Sequence, residues 1–203
     1  MAEDAVTRER FAHGMTYAEH LAAITKNREQ FEANERDLVL GEAQLAPFRA
    51  LERPLLVLVI TEDWCGDCVA NVPIVARLAR ETGKLDLRLF LRDQNPDLMD
   101  RYLSQGTFRS IPVVVFFDDD FREVGRFIER PRSVTELRAR RRAEIYASDP
   151  AFGSPNDPPD RLPEDVRLRL QQKLRKMREE TKEFADREVV RELGGIVSRV
   201  TVR

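Results

Sequence analysis

The chain has 203 residues and a formal charge of −2, from 34 basic and 36 acidic side chains. That balance gives no broad basic field for nucleic acid or anionic lipid, and the six-residue apolar run Leu55–Ile60 is far too short to cross a bilayer. The length suits one full core with appended helices, and with no basic-then-apolar leader at the N-terminus the expected location is the cytoplasm.

Taken in chain order, residues 1–14 carry no periodic pattern and read as a loose arm. Thr16-Tyr17-Ala18-Glu19 has the capping-box form, and Leu21, Ile24, Arg28 and Phe31 extend one helix to about Arg36. Gly41 separates it from a short helix over 42–51, and Pro54 stops that helix from running into the next segment. Residues 1–49 are therefore expected to form a helical N-terminal extension. The run 54–60 is apolar throughout, as in a central strand covered on both faces. A helix follows from Cys65 to about Glu81, with Pro73 inside it, and Thr82-Gly83 ends it.

Leu85 to Leu91 predicts a second strand, Asp93-Gln94-Asn95-Pro96 a turn, and 96–104 a short helix. Val113 to Phe117 predicts a third strand. Asp118-Asp119-Asp120 then turns the chain back along Glu123 to Phe127 as an antiparallel hairpin. Ser133-Val134-Thr135-Glu136 is a second capping-box pattern, opening a helix to about Tyr146. The order predicts an α/β fold, a central mixed sheet flanked by helices, as a domain over 50–147.

Residues 148–163 read as a linker rich in turn residues. A charged helix over 164–193 carries the seam Val166, Leu170, Leu174, Met177, Thr181 and Phe184. Gly194-Gly195 is expected to stop it and 196–202 to form a final strand, completing a C-terminal unit over 164–203. That strand is a candidate for filling a sheet edge, in its own chain or by exchange in a homodimer. The run Arg138-Ala139-Arg140-Arg141-Arg142 reads as a solvated helix face rather than a nucleic-acid surface.

The chemistry concentrates in Cys65-Gly66-Asp67-Cys68, which holds both cysteines of the chain. In a cytosolic chain a close cysteine pair points to catalysis or metal binding rather than a structural staple. Zinc needs about four ligands. Only His13 and His20 stand available, both far upstream, so no metal site is expected. Thiols two residues apart at a helix start can close into a disulfide with little backbone movement, so the expected cofactor is none beyond a redox-active Cys65–Cys68 disulfide.

Trp64-Cys65-Gly66-Asp67-Cys68 is similar to the Trp-Cys-Gly-Pro-Cys of the thioredoxin family. Pro73, Asp93-Gln94-Asn95-Pro96 and Ile111-Pro112 follow at compatible spacings, so residues 50–146 resemble that family, with helical extensions at both ends. The resemblance implies a thioredoxin-like fold, a cis Pro112, and an Ile111 main chain offered to an extended substrate beside Trp64 and Gly66. It departs at three positions. Asp67 replaces the proline between the cysteines, and Val59 and Leu89 stand where the family carries a buried aspartate and its lysine partner.

Resemblance and physics assign the same roles. Cys65, at the helix N-terminus, is the expected nucleophile, and Cys68 the resolving thiol. Glu62, Asp63 and Asp67 bring negative charge near Cys65, which disfavours its thiolate. Asp67 is the candidate both for that tuning and for accepting the Cys68 proton. The leading expectation is a thiol–disulfide oxidoreductase of cell redox homeostasis, reducing disulfide-bearing proteins and drawing electrons from a reductase or a thiol donor. The alternative is a thioredoxin-fold binding or redox-switch module with little turnover. The acidic approach to Cys65 argues against an anionic low-molecular-weight thiol.

Overall fold

The computed structural model of the chain describes residues 6–201. Its centre is β1, Leu55–Thr61, buried at every position but Leu56. β2, Leu85–Leu91, lies parallel to β1, with Leu55 opposite Leu85 and Thr61 opposite Leu91. β3, Val113–Phe117, runs antiparallel on the other side of β1, and β4, Glu123–Ile128, antiparallel beyond it. The resulting four-stranded order is β2-β1-β3-β4. A strand buried on both faces has no polar alternation, and the apolar run at 55–60 shows none.

The N-terminal residues are ordered against this sheet rather than forming a loose arm. α1, Arg8–Ala12, is capped by the Thr7 hydroxyl, and Val6 and Phe11 are buried. Residues 1–5 of the expected arm lie outside the described residues. Past α1, the backbone of Met15 exchanges hydrogen bonds of 2.9 and 2.7 Å with Leu89, giving the outer edge of β2 a partner. Gly14 makes this approach possible, because a Cβ there would lie 2.6 Å from the Cβ of Arg88.

The capping box at Thr16 forms as the spacing predicts and opens α2, Tyr17–Ala23. The single helix expected to reach Arg36 does not form. α2 ends at Ala23, and α3, Arg28–Asp37, starts anew after Asn27 in the left-handed region. The cause is Asp63, whose carboxylate accepts from the amides of Thr25 and Lys26 at 3.0 and 2.9 Å. Those two hydrogen bonds draw the amides away from a continuous helix. α4, Glu42–Arg49, completes the N-terminal set.

α5, Gly66–Thr82, carries Pro73 in its interior. Proline has no N–H, so the carbonyl four residues earlier loses its helical donor. That carbonyl is Val69, and the buried Asn34 of α3 donates its Nδ2 to it at 2.8 Å. The N-terminal helices thus supply the hydrogen bond that Pro73 removes. After β2, a 3₁₀ turn at Arg92–Gln94 leads into α6, Pro96–Met99.

The chain forms two compact units, one of residues up to 130 together with those from 189 onward, the other Pro131–Glu188. The second contains α7, Arg132–Ala147, which its place in the chain order predicts to belong to the sheet domain, and α8, Glu164–Glu180. Tyr146, Phe152, Val166 and Leu170 make its own small core. Residues 148–163 are more than a linker: they fold into two 3₁₀ turns, Pro150–Phe152 and Pro159–Arg161, with Phe152 buried. The capping box expected at Ser133 does not form. Pro131 stands at the cap, the Ser133 hydroxyl donates to Glu188, and Glu136 pairs with Arg132.

The final strand expected at 196–202 is helical instead through Thr201; Val202 lies outside the described residues. α8 ends at Glu180, well short of the expected residue 193, and the Thr181 hydroxyl donates back to the Met177 carbonyl at 2.8 Å; α9, Lys182–Thr201, then runs straight through Gly194-Gly195. Val189, Val190, Leu193, Ile196 and Val197 share a helical face in the first unit's core. Burial of that face outweighs the strand preference of β-branched residues and the flexibility of two glycines. Gly125 of β4 leaves room for it, since a Cβ there would meet Ile196 Cγ2 at 2.8 Å. The edge-strand route to a homodimer falls with the strand. Among the described residues no helix is long and apolar enough to cross a membrane.

Asn34→Ala leaves the Val69 carbonyl buried without a donor, so equilibrium urea unfolding is expected to show a loss of about 1–3 kcal/mol. Wild-type stability in that variant would mean that the carbonyl finds another donor.

Candidate active site

The end of β1 and the start of α5 build the site. Thr61 closes the strand, Glu62-Asp63-Trp64 turn, and Cys65 caps α5 with extended backbone. The first amides of a helix have no helical acceptors and point past its start. The amides of Asp67 and Cys68 are therefore free to bond the Cys65 sulfur. Cys68, one turn in, is completely buried, and the two free thiols stand 3.6 Å apart. Across from them, the Cys65 Sγ lies 3.5 Å from the carbonyl oxygen of Ile111, and the Ile111–Pro112 peptide is cis.

These surroundings split the two thiols. A hydrogen bond from the Cys68 thiol lowers the pKa of Cys65 most, burial works against it, and the amides of Cys68 and Asp67 lower it further, to about 6. Asp67 raises it, as its charge requires, and is the weakest of these influences. Burial pushes Cys68 the other way, well above the ordinary thiol range, and the neighbouring Cys65 sulfur adds to the rise. The hydroxyl of the fully buried Thr61 and the Glu62 amide face Cys68 and partly offset it. One thiol is thus ready as a thiolate near neutral pH and the other is kept protonated.

Every acidic side chain near Cys65 is engaged. Asp63 holds the Thr25 and Lys26 amides, and its carbonyl accepts from Asn27 Nδ2 at 2.8 Å. Glu62 accepts from the Asp93 amide at 2.8 Å, while burial raises its carboxyl. Asp67 pairs with Arg130 at 2.7 Å, and Arg130 also meets Glu129. Glu129 is anchored in turn, because its amide donates to the Pro112 carbonyl at 2.7 Å and its carbonyl accepts from Asn71.

Trp64 is 44% exposed, with the Arg92 guanidinium 4.6 Å above its ring. Arg92 also pairs with Asp93 at 2.8 Å. Gly66 opens α5 beside Cys65. The structure thus brings Trp64, Cys65, Gly66, Asp67, Cys68, Ile111 and Pro112 together. Val59 and Leu89 face each other as register partners across β1 and β2, and both are fully buried. The missing charged pair is therefore replaced as a unit by an apolar contact. His13 caps the end of α1, and His20 is buried against Phe31 with its pKa pushed down to about 4 by that burial. Among the described residues no group of three or more His, Cys, Asp or Glu side chains is placed to hold a metal ion.

Sequence reasoning missed Thr61, Arg92 and Arg130. Arg92 adjoins a turn that the sequence does mark, and Thr61 ends a recognised strand, so their neighbourhood was legible. Arg130 carries no motif, and only the return of β4 brings it to Asp67. A cavity of about 520 Å³ at the opposite end of β1, lined by residues 50–55, 118–120 and Val200, contains none of these residues.

A dithiol that starts the helix after a central strand, opposite an Ile–cis-Pro peptide on a mixed sheet, defines a protein of thioredoxin-like fold. A thioredoxin family model matches residues 14–143, more than half of the chain, and the chain belongs to that family. The fold is also similar to that of two crystallised proteins. One is an HIV epitope-scaffold of the 4E10 series, 25% identical, with a TM-score of 0.55 over 63% of this chain and 79% of that one. The other is PA1234 from Pseudomonas aeruginosa, a protein of unknown function, 20% identical, with a TM-score of 0.57 over 81% and 92%.

Site-resolved alkylation of the reduced protein is expected to label Cys65 with a midpoint near pH 6 and to leave Cys68 unlabelled through neutral pH. A Cys65 midpoint near the ordinary thiol value would show that Cys68 and the helix-start amides do not stabilise its thiolate.

Proposed function

We propose that this protein is a thiol–disulfide oxidoreductase that reduces disulfides in other proteins. The observation that carries the proposal is the asymmetric dithiol: an accessible, acidic Cys65 3.6 Å from a buried, protonated Cys68. In the proposed reaction the Cys65 thiolate attacks one sulfur of the substrate disulfide. A mixed disulfide forms, and the other substrate sulfur leaves as a thiolate that takes up a proton. Cys68 then loses its proton and attacks the Cys65 sulfur. The mixed bond breaks, the second substrate thiolate is released, and a Cys65–Cys68 disulfide remains. Two electrons pass to the substrate, and a reductase or a thiol donor restores the dithiol.

Substrate is proposed to lie along the Ile111 backbone at Pro112, between Trp64 and Gly66. Ile111 supports this, because its carbonyl already faces the Cys65 sulfur. The reducing direction is supported by the acidity of Cys65. Family thiols run from about 3.5 in strong oxidants to about 7 in a reductant, and about 6 falls near the reducing end. For Asp67 the proposal keeps the electrostatic role. Its carboxylate is held in an ion pair with Arg130, and the proton of Cys68 is assigned to the departing substrate thiolate. A cytoplasmic setting belongs to the same proposal, supported by a chain whose two cysteines both lie in the site.

Insulin-disulfide reduction is expected with the wild type and is expected to fall to background in Cys65→Ser. Cys68→Ser is expected to accumulate mixed disulfides at Cys65, which identify the substrates by mass spectrometry. A folded wild type with no turnover would instead favour a binding or redox-switch module.

A further inference from the structure

The acidic residue between the cysteines meets a cation that is distant in sequence: the Arg130 guanidinium lies 2.7 Å from Asp67 Oδ2. Neither side chain is free in solvent, with 15% of Asp67 and 25% of Arg130 exposed. The arginine is placed by the backbone as well. It follows Glu129, which stands in the left-handed region and is hydrogen-bonded through its amide to Pro112 and through its carbonyl to Asn71 of α5. The segment that positions Arg130 is therefore tied to the same cis-proline loop that faces Cys65.

We propose that Arg130 is a positioning residue that sets the nucleophilicity of Cys65, by pairing with Asp67 and cancelling the negative charge this chain carries between its cysteines. This deepens the oxidoreductase reading and rests on it only for its consequence; the electrostatic effect itself concerns Cys65 alone. A carboxylate in the first turn of α5 opposes a thiolate at the same helix start, and a guanidinium bound to it removes most of that opposition. The remaining groups around Cys65 have other commitments. Cys68 hydrogen-bonds it from within α5, and Asp63 and Glu62 are bound to the 25–26 and Asp93 amides. Arg92 and Asp93 pair beside Trp64, and Glu129 shares Arg130. Removing Arg130 thus changes the charge felt at Asp67 without touching either cysteine.

The test is the pH dependence of Cys65 alkylation by iodoacetamide, resolved by site, in the reduced full chain. Arg130→Met is expected to raise the midpoint by about half a unit to one unit, an about three- to tenfold loss of reaction rate below the midpoint. Arg130→Lys is expected to stay close to wild type. In Asp67→Asn/Arg130→Met most of the rise is expected to disappear, because the charge that Arg130 cancels is gone. An unchanged or lowered midpoint in Arg130→Met overturns the proposal, and so does a rise that persists in full in the double variant. Should Arg130→Met not fold, Asp67→Asn decides alone. It removes the carboxylate beside Cys65, leaves the guanidinium opposed by Glu129 alone and must lower the midpoint, and an unchanged or raised value overturns the proposal. Alkylation reads Cys65 whether or not the protein turns over a substrate. A failure of this test therefore leaves the oxidoreductase reading standing, and an absence of insulin reduction leaves the role of Arg130 testable.

Discussion

The unpaired amides in the first turn of α5 are what the site is built around. A helix must begin somewhere, and its first N–H groups need acceptors that the helix cannot supply. In this chain Cys65 stands at the cap with no side-chain cap hydrogen bond of its own, and the amides of Asp67 and Cys68 lower the pKa of its thiol. That placement exists because β1, buried at every position but Leu56, delivers the chain to the same end of the sheet as the Ile111–Pro112 peptide, two segments joined through the pairing of β1 and β3. Segments of the same unit tie that helix start to the sheet and to the N-terminal helices.

Control of charge explains an otherwise awkward composition. Three acidic residues lie within a few positions of a cysteine whose pKa is lowered to about 6, and each is used to tie the helix start to a different segment. Asp63 binds the break between α2 and α3, Glu62 binds the turn after β2, and Asp67 binds the segment after β4. A carboxylate that accepts backbone amides or pairs with a guanidinium is both structurally useful and electrostatically quiet. The N-terminal helices add a second tie, through Asn34 and the carbonyl that Pro73 orphans. The helical extension is in this sense part of the site's foundation.

Some elements were legible because a local rule sufficed to form them. The strand patterns at 54–60, 85–91 and 113–117 became β1, β2 and β3, and the box at Thr16 closed because both its partners lie within one turn. Other elements obey partners far away in sequence. The helix expected through Ile24 breaks for Asp63, 38 residues on from Thr25. The box at Ser133 opens because its hydroxyl has Glu188 to bind. The β-branched segment after Gly194-Gly195 stays helical because its apolar face enters a core that no local window contains. The same limit applied to the site: the residues of the cysteine motif were all visible, whereas Arg130, far along the chain from Asp67, was not.

The sequence by itself determined the dithiol, the buried strand before it, the proline inside the helix after it and the Ile-Pro peptide opposite, because each is a short pattern whose chemistry needs only near neighbours. It also announced the loss of the buried charged pair, through Val59 and Leu89. Tertiary structure decided that those two face each other as one apolar contact, that the terminal helix closes over β4 at Gly125, and that the acid between the cysteines is met by a base. Charge carried on a sequence says nothing about where its counter-charge will stand. Only the folding of β4 back beside β3 brings Arg130 to Asp67.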